Sequence, residues 1–171
     1  MKQFINTLIT TLAISCSPQR TIEIGSNELA VITDNNSEMT ILYTGQHSIP
    51  ESFSYALYDT SSQKYEFSLT GITNDSVYIE LVGRMYFKPN IDSIKIIDSD
   101  YGETYKETIV IPDSRALFRD VISNISQAEL IESLEDSLPK AIFDYAHPKL
   151  YNRHIVISTV EIDSVWQSNL N

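Results

Sequence analysis

Between positions 77 and 87 the chain alternates almost residue by residue. Val77, Ile79, Leu81, Met85 and Phe87 fall on one face, and Glu80 and Arg84 share the other with Tyr78, Val82 and Tyr86. A period of two marks a strand with one buried face. Gly83 interrupts the apolar face and predicts a bulge or a closely approaching neighbour. Tyr65, Phe67 and Leu69 alternate with Glu66, Ser68 and Thr70 in the same way. Asn74-Asp75 lies between the two runs and supplies turn chemistry, so a hairpin is expected from 65 to 87. Upstream, residues 28–33 and 40–43 are short β-branched runs separated by the turn cluster Asp34-Asn35-Asn36-Ser37.

After Pro89 the period changes. Ile91, Ile94, Lys95 and Asp98 have helical spacing, which predicts a short helix stopping near Gly102. Pro112 suits the first turn of a second helix, where its missing N–H has no intrahelical partner. Leu117, Val121 and Ile122 would then face inward, with Arg115 and Arg119 one turn apart outside. Ser126-Gln127-Ala128-Glu129 reads as a capping box. Leu130, Leu134, Leu138, Ala141, Ile142 and Tyr145 follow as a stripe at spacings of three and four. Pro139 falls inside that stripe and should kink or split the helix. Residues 154–165 return to β-branched strand character. Strands, then helices, then a closing strand describe an α+β domain.

The N-terminus carries a different signal. Lys2 is followed by a mostly apolar run, 4–14, too short to span a bilayer, which takes about 20 residues. The run ends Leu12-Ala13-Ile14-Ser15-Cys16, and polar Ser17-Pro18-Gln19-Arg20 comes next. The layout is that of a secretory signal, and its end resembles the lipobox of bacterial lipoproteins. That resemblance implies cleavage between Ser15 and Cys16 and attachment of a diacylglycerol to the Cys16 thiol. Two or three acyl chains would hold a protein stably at a membrane, whereas one gives marginal binding. The expected organisation is a signal peptide (1–15), a lipidated tether (16–21), a folded domain (22–166) and a short tail (167–171).

Composition narrows the partners. The 171 residues carry a formal net charge of -11, and loss of Lys2 with the signal makes the mature chain one unit more negative. Nucleic acid is excluded, because phosphates require clustered Lys and Arg. Electrostatic adhesion to anionic lipid is excluded for the same reason, so attachment rests on the acyl group. Cys16 is the single cysteine, so no disulfide closes within the chain. The length suffices for one domain with a real core.

The ordered pieces resemble the SPFH superfamily, also called band 7 (stomatin, prohibitin, flotillin and bacterial relatives). Ile24-Gly25-Ser26-Asn27-Glu28-Leu29-Ala30-Val31 is similar to the opening strand of that family. Gly45-Gln46-His47-Ser48-Ile49-Pro50 resembles its next segment, one residue shorter than usual. Arg84-Met85-Tyr86-Phe87-Lys88-Pro89 resembles the close of its long strand. Tyr101 to Pro112 with Arg115 and Arg119, the helix start Ser126 to Leu130, and the closing strand 155–165 complete the match over 22–166. The resemblance implies an SPFH-like α+β fold: a mostly antiparallel N-terminal sheet, two to four helices and a closing strand. It further implies a non-enzymatic role in organising a membrane or controlling a partner protease or channel. Family members often continue into an Ala/Glu-rich coiled coil; no heptad tract follows Trp166, so assembly through one is not expected.

Candidate chemistry is sparse. His47, His147 and His154 have no zinc-ligand spacing, and no cofactor is implied. Asp98-Ser99-Asp100-Tyr101-Gly102-Glu103 has D-x-D but lacks the rest of a calcium loop and reads as a solvated turn. No nucleophile elbow or P-loop is present, and His154 reads as a surface or edge residue. The sequons at Asn35, Asn74 and Asn124 are chance matches in a bacterial host. Arg115 and Arg119 are expected to be solvated or paired with Asp113 and Asp120, with an acidic partner as the functional alternative. Tyr78, Val82 and Tyr86 are expected under the C-terminal helices; uncovered, they form a contact surface. The expected function is therefore a lipid-anchored SPFH-like module in the bacterial cell envelope, facing the periplasm, with itself or an envelope protein as partner. Ser17 carries no acidic retention cue and favours the outer membrane. The competing expectation is a periplasmic small-molecule-binding lipoprotein with a pocket between sheet and helices; a hydrolase ranks third.

Overall fold

β7 (Tyr78–Pro89) is the spine of the molecule. It pairs antiparallel with β6 (Gln63–Ile72) on one side and β8 (Ile155–Gln167) on the other. The computed structural model describes residues 18–133 and 137–167. Alternation puts Ile79, Leu81, Met85 and Phe87 on the buried face, as the sequence predicts. The turn at 73–77 is locked by Thr73, whose hydroxyl donates to Asp75 and accepts from the Val77 amide. Gly83 meets both expectations at once. The β7–β8 register shifts between Val82 and Gly83, and a Cβ at Gly83 would lie 2.3 Å from the Glu161 carbonyl oxygen. β8 can cross β7 that closely only because no side chain stands there.

Ahead of the spine come β1 (Gln19–Ile24), β2 (Glu28–Thr33), β3 (Met39–Leu42), β4 (Gly45–Pro50) and β5 (Ser54–Asp59). β1 pairs with β4 as a two-stranded ribbon, and β3-β2-β5 form a separate sheet. The middle strand β2 is buried on both faces, which is why Leu29-Ala30-Val31-Ile32 is a continuous apolar run rather than an alternating one. Leu29 and Val31 join the main core. Ala30 and Ile32 join a smaller core with Ile22, Ile24 and Ile49 of the ribbon. β1 begins at Gln19, within the segment expected as tether. β5 was invisible as a strand because only Tyr58 is fully buried along it.

The helices are α1 (Ile94–Tyr101), α2 (Ile111–Ile122), α3 (Gln127–Glu132) and α4 (Ser137–Tyr151). α1 ends at Gly102, whose φ of +61° is cheap only for glycine. Its buried residues are Ile94 and Ile97, while Ile91 and Lys95 are exposed. Pro112 opens α2 as expected, but the backbone before it is already helical, a π-turn at Lys106–Val110. A proline ring collides with the carbonyl four residues back, and the wider turn relieves that collision. On α2, Val121 and Ile122 are buried, Leu117 is only half-buried, and Phe118 with Ser114 fills the centre instead.

Ser126 and Glu129 form the complete capping box. Leu130, Leu138 and Ile142 are buried, whereas Ala141 and Tyr145 are exposed and Ala146 and Leu150 take their place. α3 stops before Ser133 and α4 begins at Ser137; Leu138 and Ile142 keep their expected inward places, and the buried set of α4 then continues at a spacing of four. Pro139 sits in the first turn of α4, where it costs little, so it marks the start of a helix rather than a kink. Leu134 lies outside the described residues, as do Ser15, Cys16, the whole signal segment and positions 168–171.

Candidate functional site

The helices pack on one face of the β6-β7-β8 sheet. Phe118 of α2 meets Phe67 of β6 with ring centroids 4.9 Å apart, and α4 lies along β8. Among the described residues no helix covers the opposite face. Tyr78, Val82 and Tyr86, expected under the C-terminal helices, therefore stand on the open side, Tyr78 at 42 % exposure. Register brings Ile72 opposite Tyr78 and Trp166 opposite Glu80. One end of the face thus carries Ile72, Tyr78 and Trp166, with Trp166 62 % exposed. The middle is ionic. Arg84 pairs with Glu161 at 3.1 Å and with Asp163 across the strands, and Lys64 pairs with Glu66 at 2.7 Å. Asp163 and Glu161 hold the Arg84 guanidinium firmly protonated, and Lys64 holds the Glu66 carboxyl below its ordinary value. The face, expected to be covered, is a charged centre with an apolar end.

Arg115 and Arg119 each bond a backbone carbonyl. Arg115 donates to the Ser68 carbonyl at 3.1 Å, and Arg119 Nε to the Thr70 carbonyl at 2.9 Å. Both carbonyls belong to β6, an outer strand of its sheet, so the pair occupies acceptors that a foreign strand would otherwise use. Their expected acidic mates are employed elsewhere. Asp113 pairs with Arg153 at 3.4 Å, and Asp120 accepts the Tyr145 hydroxyl at 3.2 Å. A shallow cleft of about 430 Å³ between the β6–β7 turn and α2 brings Tyr78 and Arg119 together with Ile72, Asp120 and Ser123.

The acidic residues in and just after the last turn of α1 act as a clamp. Tyr58 of β5 donates its hydroxyl to Asp98 at 2.6 Å, and Glu103 Oε1 accepts the Leu57 amide at 3.1 Å. Burial and the neighbouring Asp98 carboxylate push the Tyr58 phenol far above its ordinary value, so it remains a donor. Tyr105 stacks obliquely on Tyr58 at 6.1 Å and accepts from buried Gln63 at 3.0 Å. These contacts bolt the β3-β2-β5 sheet to the helices. The histidines are each engaged: His47 Nε2 lies 2.7 Å from the Tyr43 carbonyl oxygen, His147 packs between Phe143 and Tyr151, and His154 holds the turn into β8 with φ of +65°.

Sequence reading missed a second feature. β4 and the β3–β2 sheet splay apart and leave an open groove of about 390 Å³. Ile32, Leu42, Ile49 and Phe53 form its floor, and Asp34, Glu38, Thr40, His47 and Ser48 its polar rim. The Asp34 carboxylate accepts the amides of Asn36 and Glu38, both at 2.8 Å. The Glu38 amide is the larger cause holding Asp34 below its ordinary value, with Asn36 adding to it against some burial. The turn cluster 34–37 was the one visible sign; nothing local shows that two strands distant in pairing leave a gap. The rim offers the Asp34 and Glu38 carboxylates as acceptors beside the Thr40 and Ser48 hydroxyls and the His47 ring, over an apolar bed.

A model of the SPFH domain / Band 7 family matches residues 22–166, almost all of the chain beyond the leader-like segment. No curated protein matches the chain. The α+β architecture, an N-terminal antiparallel β region followed by helices and a closing strand, is that expected of such a domain. The chain belongs to the SPFH / Band 7 family.

Proposed function

We propose that this chain is a non-enzymatic SPFH module that scaffolds or regulates other proteins of a bacterial cell envelope, tethered by acyl chains on Cys16. The observation that carries the reading is the SPFH match placed directly after a lipobox-like cysteine. Family membership alone does not fix a role; the tether is what sets this domain beside a bilayer. Among the described residues no helix is long and apolar enough to cross a membrane, and the acidic charge is repelled by anionic lipid. The lipid therefore supplies attachment, and the domain, facing the periplasm, supplies contacts. The open face bearing Tyr78, Val82 and Tyr86 and the groove beside β4 are the surfaces available for them, to a second copy or to another envelope protein. Ser17 after the cysteine favours the outer membrane.

The test is crosslinking and fractionation in intact cells, wild type against Cys16→Ala. The variant should leave the membrane fraction and lose its crosslinked neighbours. A variant that keeps both removes the lipid tether from the account.

A small-molecule-binding lipoprotein is the second reading, and the groove's size and polar rim are the observations in its favour. Assembly of the lipidated chain on liposomes without added ligand supports the scaffold. Thermal stabilisation by one class of small metabolite supports the second reading.

A further inference from the structure

Strand edges in this molecule are treated unequally. The β6 edge has its carbonyls taken by Arg115 and Arg119, and the Met39 carbonyl of β3 is taken by the Lys95 ammonium. β4 pairs only with β1, and its other edge borders the groove. Four successive β4 residues, His47 to Pro50, line that groove. Neighbouring residues of a strand point to opposite faces, so all four border one space only where it runs along the strand's edge. Ser48 turns its N–H and C=O away from β1 toward that space, whereas Pro50 has no N–H and its carbonyl already accepts the Phe53 amide at 3.1 Å.

The groove also states what it would accept. Its floor is apolar, its rim carries Asp34 and Glu38, and among the described residues no Lys or Arg lines it. Asp34 stays ionised, because its acceptors are already satisfied by amides. The Glu38 side chain is exposed and makes no ion pair among the described residues. We propose that the β4 edge and its groove receive an extended segment of another envelope protein in which basic side chains alternate with apolar ones. The segment adds as a strand to β4, laying its apolar side chains toward Leu42 and Phe53 and its cations toward Asp34 and Glu38. A trough along a strand favours this occupant over a compact small molecule, and the charge favours it over a second copy of this acidic chain. This deepens the scaffold reading and rests on it, since it names the partner's chemistry.

The test uses the full chain in detergent and a fluorescent octapeptide of alternating Lys and Val, followed by anisotropy at low salt. Saturable binding is expected. Glu38→Gln should weaken it about threefold, the size of one partly screened charge pair, while Glu132→Gln, an equal charge change on α3, leaves it unaltered. Methylating alternate peptide nitrogens, so that the added strand cannot donate to β4, should abolish binding. Equal weakening by both glutamine variants would mean bulk attraction and overturn the proposal. So would undiminished binding of the methylated peptide, or displacement by putrescine at the concentrations needed of unlabelled peptide. Self-association lost in Glu38→Gln would assign the groove to a second copy and likewise overturn it. Peptide binding is read in detergent and membrane retention in cells, so failure of the groove and failure of the Cys16 tether remain distinguishable.

Discussion

β7 presents two faces that both carry large apolar side chains and meet opposite fates. Ile79, Leu81, Met85 and Phe87 vanish beneath α2 and α4, while Tyr78, Val82 and Tyr86 look outward between ion pairs. The difference lies in the cross-strand neighbours. On the inner face β6 and β8 add Phe67, Leu69, Ile155 and Ile157, so the apolar area is continuous and attracts helices. On the outer face the same strands add Glu66, Glu161 and Asp163 around Arg84, and burial of that network would leave charges short of water. Aromatic residues on an alternating strand therefore predict burial only when the neighbouring strands agree.

The contrast is broken most severely from inside. Phe118→Ala should cost about 3–5 kcal/mol in a urea titration, because the ring packed on Phe67 leaves a cavity. Gly83→Ala should cost roughly 1–3 kcal/mol by the same measurement, since the new methyl meets the β8 backbone, which cannot yield like a side chain. Tyr58→Phe should cost about 1 kcal/mol, the value of one hydrogen bond to a carboxylate that water can still reach.

The attachment of α3 to the β6–β7 turn sharpens the comparison through pH. The Ser126 amide and hydroxyl depress the Glu129 carboxyl, and the Thr73 hydroxyl followed by the Gln127 amide depresses Asp75. A depressed carboxyl stabilises the fold fully above its ordinary value, 4.5 for Glu129 and 3.8 for Asp75, and that contribution fades as pH falls through the lower folded value. Melting temperatures recorded from neutral pH down to pH 3 should fall, and the double variant Asp75→Asn, Glu129→Gln should fall less steeply. The smallest effect belongs to the outer face: Tyr78→Ser should change stability by no more than about 0.5 kcal/mol in the urea titration, while reducing any crosslinks that this face makes in cells.

Much of the α+β frame was legible. The hairpin of β6 and β7, the role of Gly83, the Ser126 capping box and Pro112 at the start of α2 all follow from short-range chemistry. The candidate surfaces were legible only in part. Tyr78, Val82 and Tyr86 were placed on the correct face, but whether helices cover it was misjudged. Arg115 and Arg119 were correctly put outside α2, and their attachment to Ser68 and Thr70 was not visible, because residues nearly 50 positions apart meet there. On α4 the inward positions Leu138 and Ile142 were legible, whereas Ala146 and Leu150 in place of Ala141 and Tyr145 were not, because packing against α2 and β8 decides how wide the buried stripe is.

By itself the sequence determined which residues share a face, where chains turn and where helices begin. These depend on dihedral preferences and hydrogen bonds within a few residues. Only the tertiary structure decided which face of β7 is dry, that β1 pairs with β4 rather than joining the neighbouring sheet, and that a groove opens beside β4. Burial and edge pairing are properties of two surfaces meeting, and a local pattern describes only one of them.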